Sequence, residues 1–283
     1  MNIVEDWQVA AQKLASTGVM SKRAIARQLK VSKSTVSDFL RKYEGEKQLA
    51  VEDEVGGTQE QDNSRILIIS DMHIPYNVKG MIPFLQGLKD KYNPTRVICI
   101  GDELDYHFNA FHDSDPDLMS AGCELKAALK TIAELHEMFP NVDLLESNHG
   151  SMIHRKAKHH GIPRHHIKSY NDVLGVGQGW RWTEDLTVIL PDGKPVYFHH
   201  GKAADGIKFS QTTGMSTVQG HHHNEFSTRY WANSLGLYFS LQVGCLIDND
   251  SYAFAYNNVN LKKPIIGCAL ICDGIPVLEA FPL

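Results

Sequence analysis

Fifteen histidines stand in a chain of 283 residues. Metal ligation is the first chemistry to test for such a count, because imidazole is the commonest nitrogen ligand. Several of them fall in short polar clusters: Asp71-Met72-His73, Gly101-Asp102-Glu103-Leu104-Asp105, Asn148-His149, His200-Gly201 and Gly220-His221-His222-His223. Taken singly, each cluster is weak evidence. D-x-H arises by chance, Gly-Asp marks turns, Asn-His caps loops, and a His run can be a solvated patch. Their order carries more, because each cluster follows a strand-like run.

Those runs are the elements that must position the clusters. Residues 65–70 (RILIIS), 95–100 (TRVICI) and 142–147 (VDLLES) read as strands, with helical patterns over 78–91 and 118–139 between them. Strands alternating with helices imply βαβ units and parallel strands. Such sheets gather polar side chains at the C-terminal ends of their strands. Residues 187–190 and 196–199 read as a hairpin about Pro191-Asp192-Gly193. Further strands are expected over 216–219, 237–243, 252–255, 265–272 and 277–281.

Composition sets the class. Hydrophobic residues make up 42% and charged residues 22%, which excludes a wholly disordered, collagen-like or coiled-coil chain. No apolar run approaches the ~20 residues that span a bilayer, so no membrane partner is expected. Glu5 and Asp6 stand where a signal peptide would be basic. Cys99, Cys123, Cys245, Cys268 and Cys272 form no C-x-x-C pair; they read as reduced thiols, and a cytoplasmic location is expected.

Charge divides the chain. Residues 1–43 hold eight Lys/Arg against three Asp/Glu, and residues 44–63 hold one against seven. The acidic stretch lacks the apolar surface to offset its ordering entropy and reads as a linker. The expected layout is a basic domain at 1–43, a tether at 44–63 and a large α/β domain at 64–283. In the first, helices are predicted over 4–16, 22–29 (capped by Ser21) and 33–43 (capped by Ser32), with Val36, Phe39 and Leu40 buried. The stretch SKRAIARQLKVSKSTVSDFLRKY resembles the helix-turn-helix of resolvases and bacterial regulators. That resemblance implies DNA as a partner. Lys33, Ser34, Thr35, Ser37 and Arg41 would face the major groove, and Lys22, Arg23, Arg27 and Lys42 the phosphates. The other reading is a three-helix interaction or oligomerisation module with a solvated basic face.

The ordered set D-x-H, G-D-x-x-D, N-H, H-G, G-H-x-H resembles the calcineurin-like metallophosphoesterase superfamily over residues 64–225. The resemblance implies a β-sandwich flanked by helices and two divalent metal ions, Mn²⁺ with Fe and Zn²⁺ as alternatives. Metal one would be held by Asp71, His73, Asp102 and His223, and metal two by Asp102, Asn148, His200 and His221. His149 would protonate the leaving oxygen, and Asp105 would orient it by accepting its other ring proton. His200 is preferred to His199, and His221 and His223 to His222, on strand alternation.

The chain departs from the family in two places. Ser147-Asn148-His149-Gly150 replaces G-N-H-D/E, so the surroundings of that loop must differ. Tyr106-His107 follows Asp105 where phosphoprotein phosphatases carry Arg-Gly, which counts against that branch. The run HRKAKHHGIPRHHIK (154–168) is either a solvated face or a phosphate-tracking surface. Trp180-Arg181-Trp182 either stacks bases or fills core. The leading expectation is a metal-dependent nuclease recruited to DNA by the helix-turn-helix, a domain pairing similar to that of phage-encoded proteins. The alternatives are a phosphomonoesterase, or a DNA-binding regulator on an inactive phosphoesterase fold.

Overall fold

The computed structural model describes residues 11, 21–37, 62–109, 119–249 and 263–282. The chain divides into two compact units, Met1–Gln61 and Asp62–Leu283.

In the first unit, α1 (Lys22–Leu29) starts where the Ser21 hydroxyl accepts the Ala24 N–H at 3.3 Å. It ends at Lys30, whose left-handed backbone (φ 55°) lets its N–H close back on the last turn. Val31 and Ser32 complete the connection. The Ser32 hydroxyl then accepts the Thr35 N–H at 3.1 Å and caps the helical residues 33–37. Ala11, Ile25, Ala26 and Val36 are buried together. Of the expected DNA contacts, Lys33, Ser34 and Thr35 are exposed and Ser37 is half-buried. Arg41, Phe39, Leu40 and all but Ala11 of the first predicted helix lie outside the described residues.

The second unit is an α/β sandwich of two sheets flanked by helices. Strands β1 (Arg65–Ile69), β2 (Arg96–Cys99), β3 (Val142–Leu145) and β4 (Trp180–Thr183) run parallel, and β10 (Gly267–Cys272) and β11 (Ile275–Ala280) extend the sheet antiparallel beyond β1. The second sheet has the order β5 (Leu186–Ile189), β6 (Pro195–His199), β7 (Ser216–Gln219), β9 (Gly236–Val243), β8 (Phe226–Asn233). The 252–255 strand expectation falls outside the described residues.

The first sheet is covered on both faces, and this is why its strands read as continuous apolar runs. On β1, Leu67 and Ile69 face one way, into a core with Leu85 and Leu88 of α2 (Met81–Tyr92) and Ile132 and Leu135 of α3 (Ala121–Met138). Ile66 and Ile68 face the other way, against Val196, Phe198, Val218 and Leu241 of the second sheet. Each such side chain contributes roughly 1.5–3 kcal/mol on burial. The described residues add three shorter helices: α4 (Met152–His159), α5 (Tyr170–Leu174) and α6 (Gly206–Thr213).

One charged group interrupts β3. Asp143 is buried and accepts Arg96 Nε from β2 at 2.8 Å and Arg181 Nη2 from β4 at 2.8 Å. The Arg96 side chain is only 10% exposed. Removing its partner would strand a buried cation, which typically costs 3–5 kcal/mol. Asp143→Ala is expected to lose ~3 kcal/mol in denaturant unfolding while binding metal as the parent does. A loss under ~1 kcal/mol would show the pair to be no more than a surface bridge.

Candidate metal centre

Five strands of the two sheets end at the polar clusters. β1 runs into Asp71 and His73, β2 into Asp102, β3 into Asn148 and His149, β6 into His200, and β7 into His221 and His223. Beyond the strands the loops stay joined main chain to main chain. The N–H groups of Asp71, His73 and Ile74 donate to the carbonyls of Gly101, Asp102 and Glu103, and the Asp105 N–H returns to Ile74. These bonds fix the D-x-H and G-D-x-x-D loops as one unit.

The backbone is strained where the chemistry is expected. Asp71, His73, Asp102 and His221 all hold positive φ, at 50°, 47°, 50° and 70°. Non-glycine residues adopt this region at a cost, and such outliers gather at functional sites. Gly220 is required by close approach: a Cβ there would overlap Ser70 Oγ and the Asp71 carboxylate.

Two groups of side-chain donors converge. In one, Asp71, His73 and His223 bring single ligand atoms together. His73 Nε2 lies 3.2 Å from His223 Nε2, and His223 Nε2 lies 3.1 Å from Asp71 Oδ1. In the other, Asp102, His200 and His221 converge. His200 Nε2 is 2.8 Å from Asn148 Oδ1 and 3.2 Å from Asp102 Oδ2. Asp102 Oδ2 is also 3.7 Å from His73 Nε2, so one carboxylate oxygen stands between the groups. The companion histidines point elsewhere. His199 is buried against Phe209 and takes the Lys202 N–H on Nδ1, while His222 Nε2 meets the Ala203 carbonyl at 3.0 Å.

The electrostatics of this cluster call for positive charge. Asp71 and Asp102 are 0% and 1% exposed. Burial pushes both carboxyls up, but the facing histidines win: Asp71 is held at about 2 and Asp102 well below the usual carboxylate range. Burial likewise opposes a charge on His200, yet Asp102 beside it, with Asp71 beyond, pushes it up to about 9. His200 Nδ1 already donates to the Ile100 carbonyl at 2.8 Å. Its Nε2 therefore faces two acceptor oxygens, Asn148 Oδ1 and Asp102 Oδ2, with a lone pair or with a second proton. Either a proton or a cation has to sit among these atoms. Nitrogen and oxygen donors in this proportion suit Mn²⁺, Fe²⁺ or Zn²⁺, and the residues fit a pair of such ions.

The expected His149–Asp105 pairing is different in the structure. The Asp105 carboxylate lies 2.7 Å from His73 Nδ1 and 4.0 Å from His149 Nδ1. His149 Nδ1 is bonded instead to the main-chain carbonyl of Asp105. Asp105 thus orients His73, and its carbonyl orients His149, leaving His149 Nε2 on the side of Asp102 at 4.0 Å.

The sequence marked positions 147 and 150 only as a departure and gave no role to Ser147, Glu103 or Gly150. Ser147 Oγ accepts both the Asp102 N–H at 2.9 Å and the Gly150 N–H at 3.0 Å. Glu103 is buried, and burial, with Asp102 adding to it, pushes its carboxyl up to about 8; its Oε1 has no partner. A Cβ at Gly150 would come within 3.1 Å of Ser147 Oγ and 3.6 Å of Glu103 Oε1. The signal was the departure at 147 and 150: the Ser147 hydroxyl stands tight against any Cβ at 150, with the Glu103 carboxyl in contact beyond it. The two tryptophans also part. Trp180 is core, with its N–H on the Phe139 carbonyl at 2.8 Å, whereas Trp182 is half-buried and lines a cavity.

No protein-family model and no curated protein matches the chain. Solved structures of similar fold include vacuolar protein sorting 29 from Cryptosporidium parvum, at 15% identity over 77% of this chain and 96% of that one, with a TM-score of 0.39. They include an archaeal phosphodiesterase, at 13% identity over 77% and 99%, TM-score 0.41. The nuclease MPE of Pseudomonas putida aligns at 13% identity over 75% and 86%, TM-score 0.32. Similarity at this level leaves the chemistry to be read from the residues. Among the described residues no helix is long and apolar enough to cross a membrane.

Asp102→Asn is expected to bind fewer than two equivalents of Mn²⁺ after chelation and reloading, because one oxygen serves both groups. Two full equivalents, read by metal analysis of the desalted protein, would rule out a shared carboxylate.

Proposed function

We propose that the chain is a dinuclear-metal phosphodiesterase of the calcineurin-like metallophosphoesterase type, acting on DNA. The observation that carries this reading is the pair of ligand groups sharing Asp102, with His149 beside them. Asp71, His73, Asp102 and His223 would hold one ion, and Asp102, Asn148, His200 and His221 the other. Two bound divalent ions would supply Lewis-acid activation of water and charge stabilisation of the phosphoryl oxygens.

The chain's own residues do the rest. Asp105 holds His73 by its Nδ1, and the Ile100 carbonyl holds His200 by its Nδ1, so both rings present Nε2 inward. His149 is held the same way by the Asp105 carbonyl, leaving Nε2 to carry a proton to the leaving oxygen as the P–O bond breaks. A carbonyl acceptor fixes the tautomer without adding charge. DNA as substrate is supported by the basic unit at 1–43, with exposed Lys33, Ser34 and Thr35 on its second described helical segment, and by the cation-rich stretch that follows His149.

His149→Ala is expected to keep both metals and to lose ~10²–10⁴-fold in kcat on a nucleotide diester, but far less on an activated aryl diester whose leaving group needs no proton. Equal losses on both would remove the leaving-group role. Asp105→Asn, acting through the metal-ligand imidazole, is expected to weaken metal affinity instead.

Recruitment has its own signature. Deleting residues 1–43 is expected to leave hydrolysis of bis(p-nitrophenyl) phosphate in Mn²⁺ intact and to weaken cleavage of long duplex DNA. The tether raises the effective concentration of DNA at the catalytic unit. The full-length advantage is expected to shrink as salt rises, since each phosphate contact releases condensed counterions. Equal cleavage of duplex by both forms at low salt would assign the N-terminal helices to another partner.

A further inference from the structure

The stretch after His149 builds a cavity that the metal chemistry does not use. From Gly150 to Ser169 the sequence holds Arg155, Lys156, Lys158, Arg164 and Lys168, and no acidic residue. The chain folds this stretch into α4, a turn over Arg164–His166, and α5. Together with β4 they line an open hollow of about 610 Å³, formed in part by Arg164, Lys168, Tyr170 and Trp182. A second hollow of about 450 Å³ shares His154, Arg164 and Ile167 with it and reaches Arg155, Lys158 and Ser151. Volumes of this size suit small ligands or one unit of a polymer.

The lining combines two recognition elements. Trp182 offers an aromatic face: the Arg164 guanidinium lies 5.5 Å from its ring centroid, and the rings of Tyr170 and His154 stand 6.2 and 6.5 Å away. Around it are the cations, with Arg164 and Lys168 exposed. An aromatic face takes a planar base of any sequence, and a guanidinium fork takes a phosphate.

The cavity also abuts the catalytic loop. Ser151, which lines the second hollow, donates its hydroxyl to the Ser147 carbonyl at 2.7 Å. The Tyr170 hydroxyl lies 3.7 Å from where a Cβ on Gly150 would stand. Helix α4, of eight residues, spans roughly 12 Å, so its far end lies a few nucleotides from the loop.

We propose that this cavity is a nucleotide subsite that stacks an unpaired base on Trp182 and holds an adjoining backbone phosphate on Arg164 and Lys168. It deepens the phosphodiesterase reading and rests on it for its place beside the scissile phosphate. A base engaged through its face cannot be paired and stacked in a duplex, so the ligand is a single strand or a flipped-out nucleotide. The chemistry favours nucleic acid over a phosphopeptide, because a phosphate alone leaves the aromatic face unused.

The test is binding without turnover, so that its failure is separable from failure of the catalytic reading. Full-length protein in EDTA is titrated against fluorescein-labelled (dT)₆ and against an abasic hexamer of the same charge, read by fluorescence anisotropy. The basic N-terminal unit is present in every variant and sets a constant background. Arg164→Gln with Lys168→Gln is expected to weaken binding of both oligomers about tenfold. Trp182→Phe, which keeps a smaller ring at that position, is expected to weaken (dT)₆ several-fold and leave the abasic hexamer unchanged. Wild-type affinity in the exposed Arg164→Gln, Lys168→Gln variant would overturn the subsite, as would equal binding of (dT)₆ and the abasic hexamer by the parent. Displacement of (dT)₆ by a phosphoserine peptide at the same concentration as by unlabelled (dT)₆ would also overturn it, in favour of a protein ligand. Absence of diesterase activity in Mn²⁺ alongside the expected binding would overturn the catalytic reading and leave the nucleotide site standing.

Discussion

Two carboxylates that are almost wholly buried and face each other's histidines are the constraint on which this unit is built. Asp71 and Asp102 cannot be ionised side by side in a dry environment unless positive charge is supplied close by. Burial opposes a charge on His200 and His223, yet the facing carboxylates push His200 up to about 9 and raise His223 above its usual value. A cation held by the same nitrogens would compete with protons for them, which would make metal uptake depend on pH. The charge that the site lacks is what makes it a site.

The rest of the fold serves that arrangement. Parallel strands of the two sheets deliver one or two polar residues each to a common edge, and the turns after β1 and β2 are crossed by main-chain bonds. The strain at Asp71, His73, Asp102 and His221 is sustained because the strands below cannot relax. Ser147 adds a hydroxyl that ties the Asp102 and Gly150 amides together. Side chains then need little freedom to converge, and the histidine tautomers are fixed by carbonyl and carboxylate acceptors from behind.

Much of this was legible in the residues. The three strands before Asp71, Asp102 and Asn148 were visible because burial on both faces leaves an unbroken apolar run. The residues expected to ligate metal stand together in space because their clusters follow strand ends, a relation that sequence order preserves. What was hidden obeys other physics. β4, with Trp-Arg-Trp-Thr, exposes Arg181, and β8, an edge strand, exposes the consecutive residues Arg229 and Tyr230, so polar residues blur the pattern on both. Helix α4 has only Met152 and Ala157 buried, so a basic run masks its period. The contact of Asp105 with His73 could not be read from spacing, because it joins two loops that only the fold brings together. The role of Ser147 was invisible for the same reason: its bonds are to amides, not to another side chain.

The crowding at Gly150 has a consequence for how this loop can change. Ser147, Glu103 and Gly150 compete for one small volume, so their substitutions are not independent. An acid introduced at 150 meets the Ser147 hydroxyl and the Glu103 carboxyl already in place, and a smaller residue at 147 or 103 alone leaves buried amides or space unfilled. Each single step therefore leaves one of these groups crowded or unpartnered. In the language of sequence landscapes such coupled positions make separate peaks, and the valley between them is set by how closely Ser147 approaches position 150 beneath His149.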